Sequence, residues 1–115
     1  MTIANVLAEI MVVDFDPAVR WYGSFFGRPP DRRPMDGLVE WQLTDGGGLQ
    51  LFRKADCRGG VNVTIAVDDV DAHLATLAER GISGETFDTP SGQLRLATLR
   101  DPEGNTITLA QGLQP

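Results

Sequence analysis

The sequence predicts an α+β fold built from two tandem βαβββ modules. In each half an apolar, strand-like run ends at an aspartate, Asp14 or Asp69, and a helix-like segment follows. These two aspartates lie 55 residues apart in a chain of 115 residues, which indicates an internal repeat. Each half also closes with two strand-like segments joined by a D-x-x-G turn. We therefore expect a single domain, with module one at about 1–56 and module two at about 57–115.

The first half begins with an apolar run at 3–13, which predicts the first strand. Asp16 is the predicted N-cap of the helix that follows, Pro17 its first residue, and Gly27 its end. Aromatic residues at helical spacing predict a buried face rather than a stacking cluster: Trp21, Tyr22, Phe25 and Phe26. Further strands are predicted near 29–34, at 38–43 and at 49–53.

The second half repeats this order after a polar joint at 54–60. A strand at 61–67 leads into a helix that opens at Asp69 and stops at Gly81. The remaining strands are predicted near 84–88, at 94–99 and at 106–111. In the two turns that join the last strands of each half, we expect glycine at a positive φ: Asp45-Gly46-Gly47-Gly48 and Asp101-Pro102-Glu103-Gly104-Asn105.

Composition excludes several classes of protein. Apolar residues make up 42% and charged residues 23% of the chain, an ordinary globular mixture. A net charge of −6 argues against nucleic acid as a partner, because phosphate contacts need a basic surface. The first five residues lack a secretory pattern, no apolar run is long enough for a membrane span, and Cys57 is the single cysteine. We expect a cytoplasmic protein, and the preference for arginine over lysine suggests a GC-rich bacterial source.

Three segments carry a resemblance to a known family. The stretch from Asp14 through Trp21-Tyr22 to Phe26-Gly27 resembles the first helix motif of the vicinal oxygen chelate superfamily. Val67-Asp68-Asp69-Val70-Asp71 resembles the start of its second module, and 101–107 resembles its closing D-P-x-G-N-x-I hairpin. That superfamily contains glyoxalase I, extradiol dioxygenases and bleomycin-resistance proteins. The resemblance implies a curved, half-barrel-like mixed sheet around a cleft, with the helices on the convex side.

Alternation along the strands separates an apolar face from a mixed face. On the first strand, for example, Glu9 and Met11 alternate with Ile10 and Val12. The mixed face is either solvated or, as the resemblance implies, the lining of a pocket. The predicted ligand-binding residues are Glu9, Met11, Gln50, Phe52, Asn62, Thr64 and Thr108, with Glu40 and Gln42 as candidates for the same face. The strand at 94–99 has leucine on both faces, so its orientation stays open.

The resemblance also implies four positions for a divalent metal. By register these positions are occupied by Leu7, Gln50, Asn62 and Thr108. Leu7 has no donor atom, and the other three side chains are neutral, whereas such metals are held by imidazole and carboxylate groups. We therefore expect no metal and no other cofactor.

Glu9 has the strongest functional interpretation among the single residues. A carboxylate on a concave face needs a cation or hydrogen-bond donors. It could receive a basic group of a ligand, act as a general base, or pair with Arg95 or an arginine of a partner subunit. His73 is interpreted as a helix-flank residue and Cys57 as a free loop thiol.

Two functions from different classes remain, together with a third possibility. The first is a metal-free protein that binds a small molecule in a cleft at a homodimer interface, which the resemblance to bleomycin-resistance proteins implies. The second is a metal-independent isomerase or lyase that uses Glu9 as its base. The third is an interaction module whose cleft is vestigial.

Overall fold

The computed structural model describes residues 2–112 and contains two helices and eight strands. The elements of the first half are β1 (Val6–Val12), α1 (Phe15–Phe26), β2 (Arg32–Met35), β3 (Leu38–Thr44) and β4 (Gly47–Arg53). The elements of the second half are β5 (Asn62–Ala66), α2 (Val70–Glu79), β6 (Glu85–Asp88), β7 (Leu94–Arg100) and β8 (Thr106–Gly112). This order confirms the two predicted βαβββ modules. Neither helix in the described part of the chain is long and apolar enough to cross a membrane.

Each module folds its strands into its own mixed sheet. The strand orders are β1-β4-β3-β2 and β5-β8-β7-β6, so the same topology occurs twice. In each sheet the first strand runs parallel to the last, and the remaining neighbours are antiparallel. The strands therefore form two open four-stranded sheets and do not close into a barrel.

A shared core lies between the sheets and the helices. Ile10, Val12 and Trp41 are fully buried on one face of the first sheet, and Ile107 is fully buried on the second. The aromatic residues of α1 belong to this core, as predicted: Tyr22 and Phe25 are buried, and Trp21 and Phe26 are partly buried against it. Because both sheets direct one face into the same core, their other faces are turned outward.

A buried polar cluster in the β7–β8 connection joins the two modules. The Tyr22 hydroxyl donates to Asp101 Oδ2 at 2.7 Å, across 79 residues of chain. Asp101 also accepts hydrogen bonds from the backbone N–H groups of Glu103 and Asn105, both at 2.9 Å. Burial, and then the hydrogen bond to Asp101, raise the pKa of Tyr22 well above its usual range.

The same connection holds the end of β1 and the start of β5. The Glu103 carboxylate accepts from the backbone N–H of Val13 at 2.8 Å and of Asp14 at 2.7 Å. Asn105 Oδ1 accepts from the backbone N–H of Val61 at 3.1 Å. No buried side-chain nitrogen or oxygen in residues 2–112 is left without a partner. These carboxylates are therefore part of the fold rather than of an open site.

The prediction that Asp16 caps α1 is wrong. The N-cap is Asp14, whose side chain makes no capping bond, and the first helical hydrogen bond runs from Ala18 N–H to Asp14 C=O. Pro17 is the third helical residue, where it costs no hydrogen bond because the first N–H groups of a helix have no partner within the helix. Glu103 binds the Asp14 backbone instead, and the sequence offers no local sign of this contact.

The other helix ends follow the prediction more closely. Asp69 caps α2, accepting from the Ala72 N–H at 3.0 Å. Gly27 ends α1 with φ +76°, and a Cβ there would lie 2.7 Å from Nη2 of Arg80. Arg80 donates to Ser24 C=O at 3.1 Å and to Phe25 C=O at 3.3 Å, so a residue at the end of α2 caps the end of α1.

The two D-x-x-G turns differ in the φ angles of their glycines. Gly104 has φ +86°, as predicted, but none of the glycines of the β3–β4 turn has a positive φ, so that prediction is wrong. Gly48 lies within β4, and a Cβ on it would lie 2.5 Å from the Trp41 carbonyl oxygen and 2.8 Å from Leu7 Cδ2. Close packing, rather than turn geometry, requires glycine at this position.

We expect Tyr22→Phe to lower the free energy of unfolding by about 1.5–3 kcal/mol, because it removes a donor to a buried carboxylate. Urea denaturation measures this change, and Asp36→Asn, at a side chain 92% exposed, is the control that should stay near 0.5 kcal/mol or below. A loss from Tyr22→Phe as small as that of the control would contradict the role of the cluster.

Stability should also fall at high pH through the same residue. The unfolded chain loses the tyrosine proton near pH 10, whereas the folded chain retains it, so the unfolded state binds fewer protons above that pH. The free energy of unfolding should fall by about 1.4 kcal/mol per pH unit above pH 10 in the native sequence, and this tyrosine-dependent slope should disappear in Tyr22→Phe. Because Tyr22 is the single tyrosine, tyrosinate absorbance should rise only when the protein unfolds.

Candidate functional site

The outward face of the first sheet carries a row of four polar residues, one from each strand. Glu9 of β1 is opposite Gln50 of β4, Gln50 is opposite Glu40 of β3, and Glu40 is opposite Arg32 of β2. We call these four residues the polar row. The strand register brings together residues that are up to 41 positions apart in the sequence.

The polar row is held by contacts among its own side chains. Gln50 Nε2 donates to Glu40 Oε1 at 2.9 Å, and Arg32 forms an ion pair with Glu40 Oε2. The Glu40 side chain is only 7% exposed, whereas that of Arg32 is 59% exposed. A carboxylate this deeply buried is stable only when it is paired and hydrogen-bonded, and both conditions are met here.

Glu9 is the free end of the polar row. Its side chain is exposed, and it makes no hydrogen bond or ion pair with any residue of the described 2–112. The proposed pairing with Arg95 is wrong, since Arg95 binds Asp71 at 3.0 Å and Asp88 at 2.9 Å. Glu9 can therefore accept a donor from a ligand, from water or from a second chain.

A row of apolar side chains runs beside the polar row. Met11 is opposite Phe52, Phe52 is opposite Leu38, and Leu38 is opposite Met35; each lies two positions along its strand from the polar row, except Met35, which lies three positions from Arg32 because the pairing of β2 is irregular there. We call Met11, Phe52, Leu38 and Met35 the apolar row. The first three are half-buried, and Met35 is 58% exposed. The outward face thus offers a carboxylate and an amide next to a continuous apolar strip.

The corresponding row of the second sheet carries three hydroxyl groups and one carboxylate. Thr64 of β5 is opposite Thr108 of β8, Thr108 is opposite Thr98 of β7, and Thr98 is opposite Glu85 of β6. We call these four the threonine row. An apolar strip again lies beside it and includes Phe87, which is 52% exposed.

The seven predicted ligand-binding residues lie on these two outward faces. The first sheet carries Glu9, Met11, Gln50 and Phe52, and the second carries Asn62, Thr64 and Thr108. The two faces are turned away from the shared core and so do not enclose a common pocket within one chain. Their assignment to one site stays a prediction.

Glu40 and Gln42 were predicted as candidates for the same outward face. Glu40 belongs to the polar row, and Gln42 lies beside it: its Oε1 accepts from Arg32 at 3.3 Å, and its Nε2 donates to Asn5 Oδ1 and to the Thr44 carbonyl. The sequence analysis missed Arg32, because only the strand register shows that it reaches Glu40.

The two remaining candidate side chains lie outside the polar row. His73 lies on α2 beside Asp68, with its Nε2 3.5 Å from Asp68 Oδ1. Cys57 is a partly buried free thiol in the joint between modules.

The four positions that the resemblance assigns to a metal do not fit one. Leu7 is a hydrocarbon packed against Gly48, and the Gln50 amide is bonded to Glu40. Asn62 and Thr108 are neutral and belong to the other sheet. In residues 2–112 no three His, Cys, Asp or Glu side chains come together in a group that could hold a metal ion. This donor set supports no step that requires a metal.

Comparison with known proteins gives a consistent picture. The sequence profile of the glyoxalase-like domain matches residues 6–110. A solved glyoxalase/bleomycin resistance protein from Catenulispora acidiphila DSM 44928 is 31% identical, with a TM-score of 0.88 over 96% of this chain and 99% of that one. TnmS3, an antibiotic binding protein from Streptomyces sp. CB03234, is 28% identical, with a TM-score of 0.78 over 98% and 99% of the two chains.

More distant structures share the fold. A bleomycin-binding protein in complex with bleomycin is 19% identical, with a TM-score of 0.77 over 95% of this chain and 98% of that one. No curated protein sequence matches the chain significantly.

We expect Arg32→Met to lower the free energy of unfolding by about 1–3 kcal/mol, because it leaves the buried Glu40 carboxylate without its cation. The double variant Arg32→Met/Glu40→Gln should recover most of this loss, which chemical denaturation of the four-member cycle measures. Arg58 and Asp14 form an exposed pair at 3.2 Å and provide the control cycle, with a coupling below about 1 kcal/mol. Equal coupling energies in the two cycles would show that the Arg32–Glu40 pair stabilises the fold no more than an exposed ion pair does.

Proposed function

Because the chain belongs to the glyoxalase-like domain family, we propose that it binds a small organic molecule, without a metal, in a cleft between the outward sheet faces of two copies. The observation that carries this proposal is the polar row lying directly beside the apolar row. Ligand sites are mostly apolar surfaces with a few fixed polar groups, and the outward face of the first sheet has this composition.

The arrangement of the polar row favours a ligand with a donor group. Glu40 and Gln50 are fixed by each other and by Arg32, so their positions are set before a ligand arrives. Glu9 carries an uncompensated carboxylate at the end of that row. A ligand with a flat apolar body on Phe52 and Met11, and a basic or hydrogen-bond-donating group at Glu9, would use both features. TnmS3, 28% identical, is an antibiotic binding protein, which supports a small organic ligand.

A second copy would supply the opposite wall of the cleft. Within one chain the outward faces are uncovered and carry the large exposed side chains Met35, Phe87 and Leu94. Exposed apolar strips of this kind are typical of surfaces that become covered by a partner or a ligand. In a homodimer the threonine row of one chain could lie across from the polar row of the other, so that each cleft has one charged and one hydroxyl-lined wall.

The alternative is a metal-independent isomerase or lyase with Glu9 as general base. The specific observation in its favour is that the Glu9 carboxylate is exposed and unpartnered within the described residues. A base must reach the proton that it removes, and a carboxylate already committed to a salt bridge could not. Both functions use Glu9, but only the enzyme requires its basicity.

Native mass spectrometry of protein purified without chelator should show a mass of two chains, with no added divalent metal. An additional retained mass would give the ligand class directly. A monomer at micromolar concentration would contradict the shared cleft. A stoichiometric metal would contradict the metal-free site and would move an enzymatic function to first place.

Glu9→Gln should weaken binding of proflavine, a planar aromatic cation, by about tenfold, which corresponds to about 1.4 kcal/mol. Fluorescence titration measures the Kd, and Asp56→Asn in the exposed joint is the matched control for the same change of charge. An unchanged Kd in Glu9→Gln would exclude Glu9 from the site. If a substrate is found, an isomerase or lyase should lose turnover in Glu9→Gln while it retains most of its substrate binding.

A further inference from the structure

A second concavity lies on the helix side of the sheets, away from both outward faces. Its volume is about 730 Å³, and it opens between the last two residues of α1, the end of β3, the length of α2 and the edge strand β5. Cavities of about 300–1,000 Å³ accommodate drug-sized molecules. None of the seven predicted ligand-binding residues lines it, so it is distinct from the proposed cleft. We call it the interhelix cavity.

The floor and walls of the interhelix cavity are apolar. Phe25, Leu77 and Leu109 are buried at its base. Phe26, Leu43, Ile65 and Val67 form partly buried walls around them. An occupant must therefore present a compact hydrophobic body, because a polar body would lose its hydration without gaining partners.

The charged groups at the rim lie at opposite ends of α2. Arg80 is at the C-terminal end, where its guanidinium already donates to the Ser24 and Phe25 carbonyls. Asp69 at the other end accepts from the Ala72 N–H as the helix cap. Asp68, beside it, is 94% exposed, and its Oδ1 lies 3.5 Å from the imidazole Nε2 of His73. The end of the cavity near Asp68 is thus acidic, about 15 Å from Arg80 along ten helical residues.

The free edge of β5 adds hydrogen-bonding groups at the same end. The backbone groups of Val61 and Val67 bond to β8, so in this parallel pairing the N–H and C=O of Ala66 point away from β8. β5 is the edge strand of its sheet, and Ala66 lines the cavity. The Ala66 carbonyl can therefore accept a hydrogen bond next to the Asp68 carboxylate.

From this apolar floor with acceptors at one end, we propose that the interhelix cavity binds a compact hydrophobic amine, with its aromatic or alicyclic body on Ile65 and Leu109 and its ammonium group at Asp68 and Ala66. The ammonium group has several donors, and both a carboxylate and a carbonyl are available to it. The site is separate from Glu9 and does not depend on the proposed cleft.

The test uses three probes of the same shape and different charge: 1-naphthylmethylammonium, 1-naphthylmethanol and 1-naphthoate. Titration of the ¹⁵N-labelled protein, followed by amide chemical shifts, gives both the Kd and the location. We expect the ammonium probe to bind at least fivefold more tightly than the alcohol, and the carboxylate to bind most weakly. The largest shifts should fall on Val67, Ala72 and Thr76 rather than on the strands around Glu9 and Gln50.

Variants of the protein test separately the charge of Asp68 and the space that the cavity offers at Ala72. Asp68→Asn should reduce the preference for the ammonium probe over the alcohol to below twofold, whereas Asp56→Asn should preserve it. Ala72→Trp, at an exposed residue of α2 that lines the cavity, should abolish binding of all three probes, and Ala72→Ser should retain it. Circular dichroism checks that each variant is folded, and if Ala72→Trp is not, Thr76→Leu replaces it.

Three results would overturn the proposal. Equal affinity for the ammonium and alcohol probes would remove the role of Asp68. Shifts confined to the outward faces would place the probes in the other site. A change of oligomeric state caused by a folded Ala72→Trp would show that the cavity is a contact between copies of this chain.

Discussion

The structure depends on one short connection that carries three buried polar side chains. Asp101, Glu103 and Asn105 satisfy backbone and hydroxyl donors from α1, from the end of β1 and from the residue before β5. A buried polar group without a hydrogen-bond partner would lower the stability of the fold. These side chains avoid that loss because each one is hydrogen-bonded to a donor. The β7–β8 connection therefore holds the two modules together beside their shared hydrophobic core.

The β7–β8 connection also determines which surfaces are available for function. Tyr22 reaches Asp101 from α1, and Arg80 at the end of α2 reaches the last carbonyls of α1, so the helix sides of the modules are held together. The opposite faces of both sheets must then be turned outward. The repeat has also diverged on those faces: Glu9, Gln50, Glu40 and Arg32 in one module correspond to Thr64, Thr108, Thr98 and Glu85 in the other. A cleft between these unlike faces would have one mainly charged wall and one mainly hydroxyl-lined wall, which suits an asymmetric ligand.

The sequence allowed the fold to be predicted further than the site. Strand alternation and the repeat that starts at Asp14 and Asp69 are local signals, so the element order could be predicted closely. The role of Glu103 could not be predicted, because its partners Val13 and Asp14 lie 90 and 89 residues away. The polar row depends on strand register, and irregularities in pairing between Arg32 and Met35, and again between Gln42 and Thr44, shift that register. The misplaced cap at Asp16 and the wrong partner for Arg95 have the same origin, since tertiary contacts decide both.

The Glu103 and Tyr22 contacts also affect the order in which the chain can fold. Both contacts close loops that span most of its length, and loop closure of this kind slows folding relative to local contacts. During synthesis, residues 1–60 leave the ribosome with the Tyr22 hydroxyl and the Val13 and Asp14 amides still lacking their acceptors. The first module therefore depends on residues 101–105 of the second module to reach its native structure.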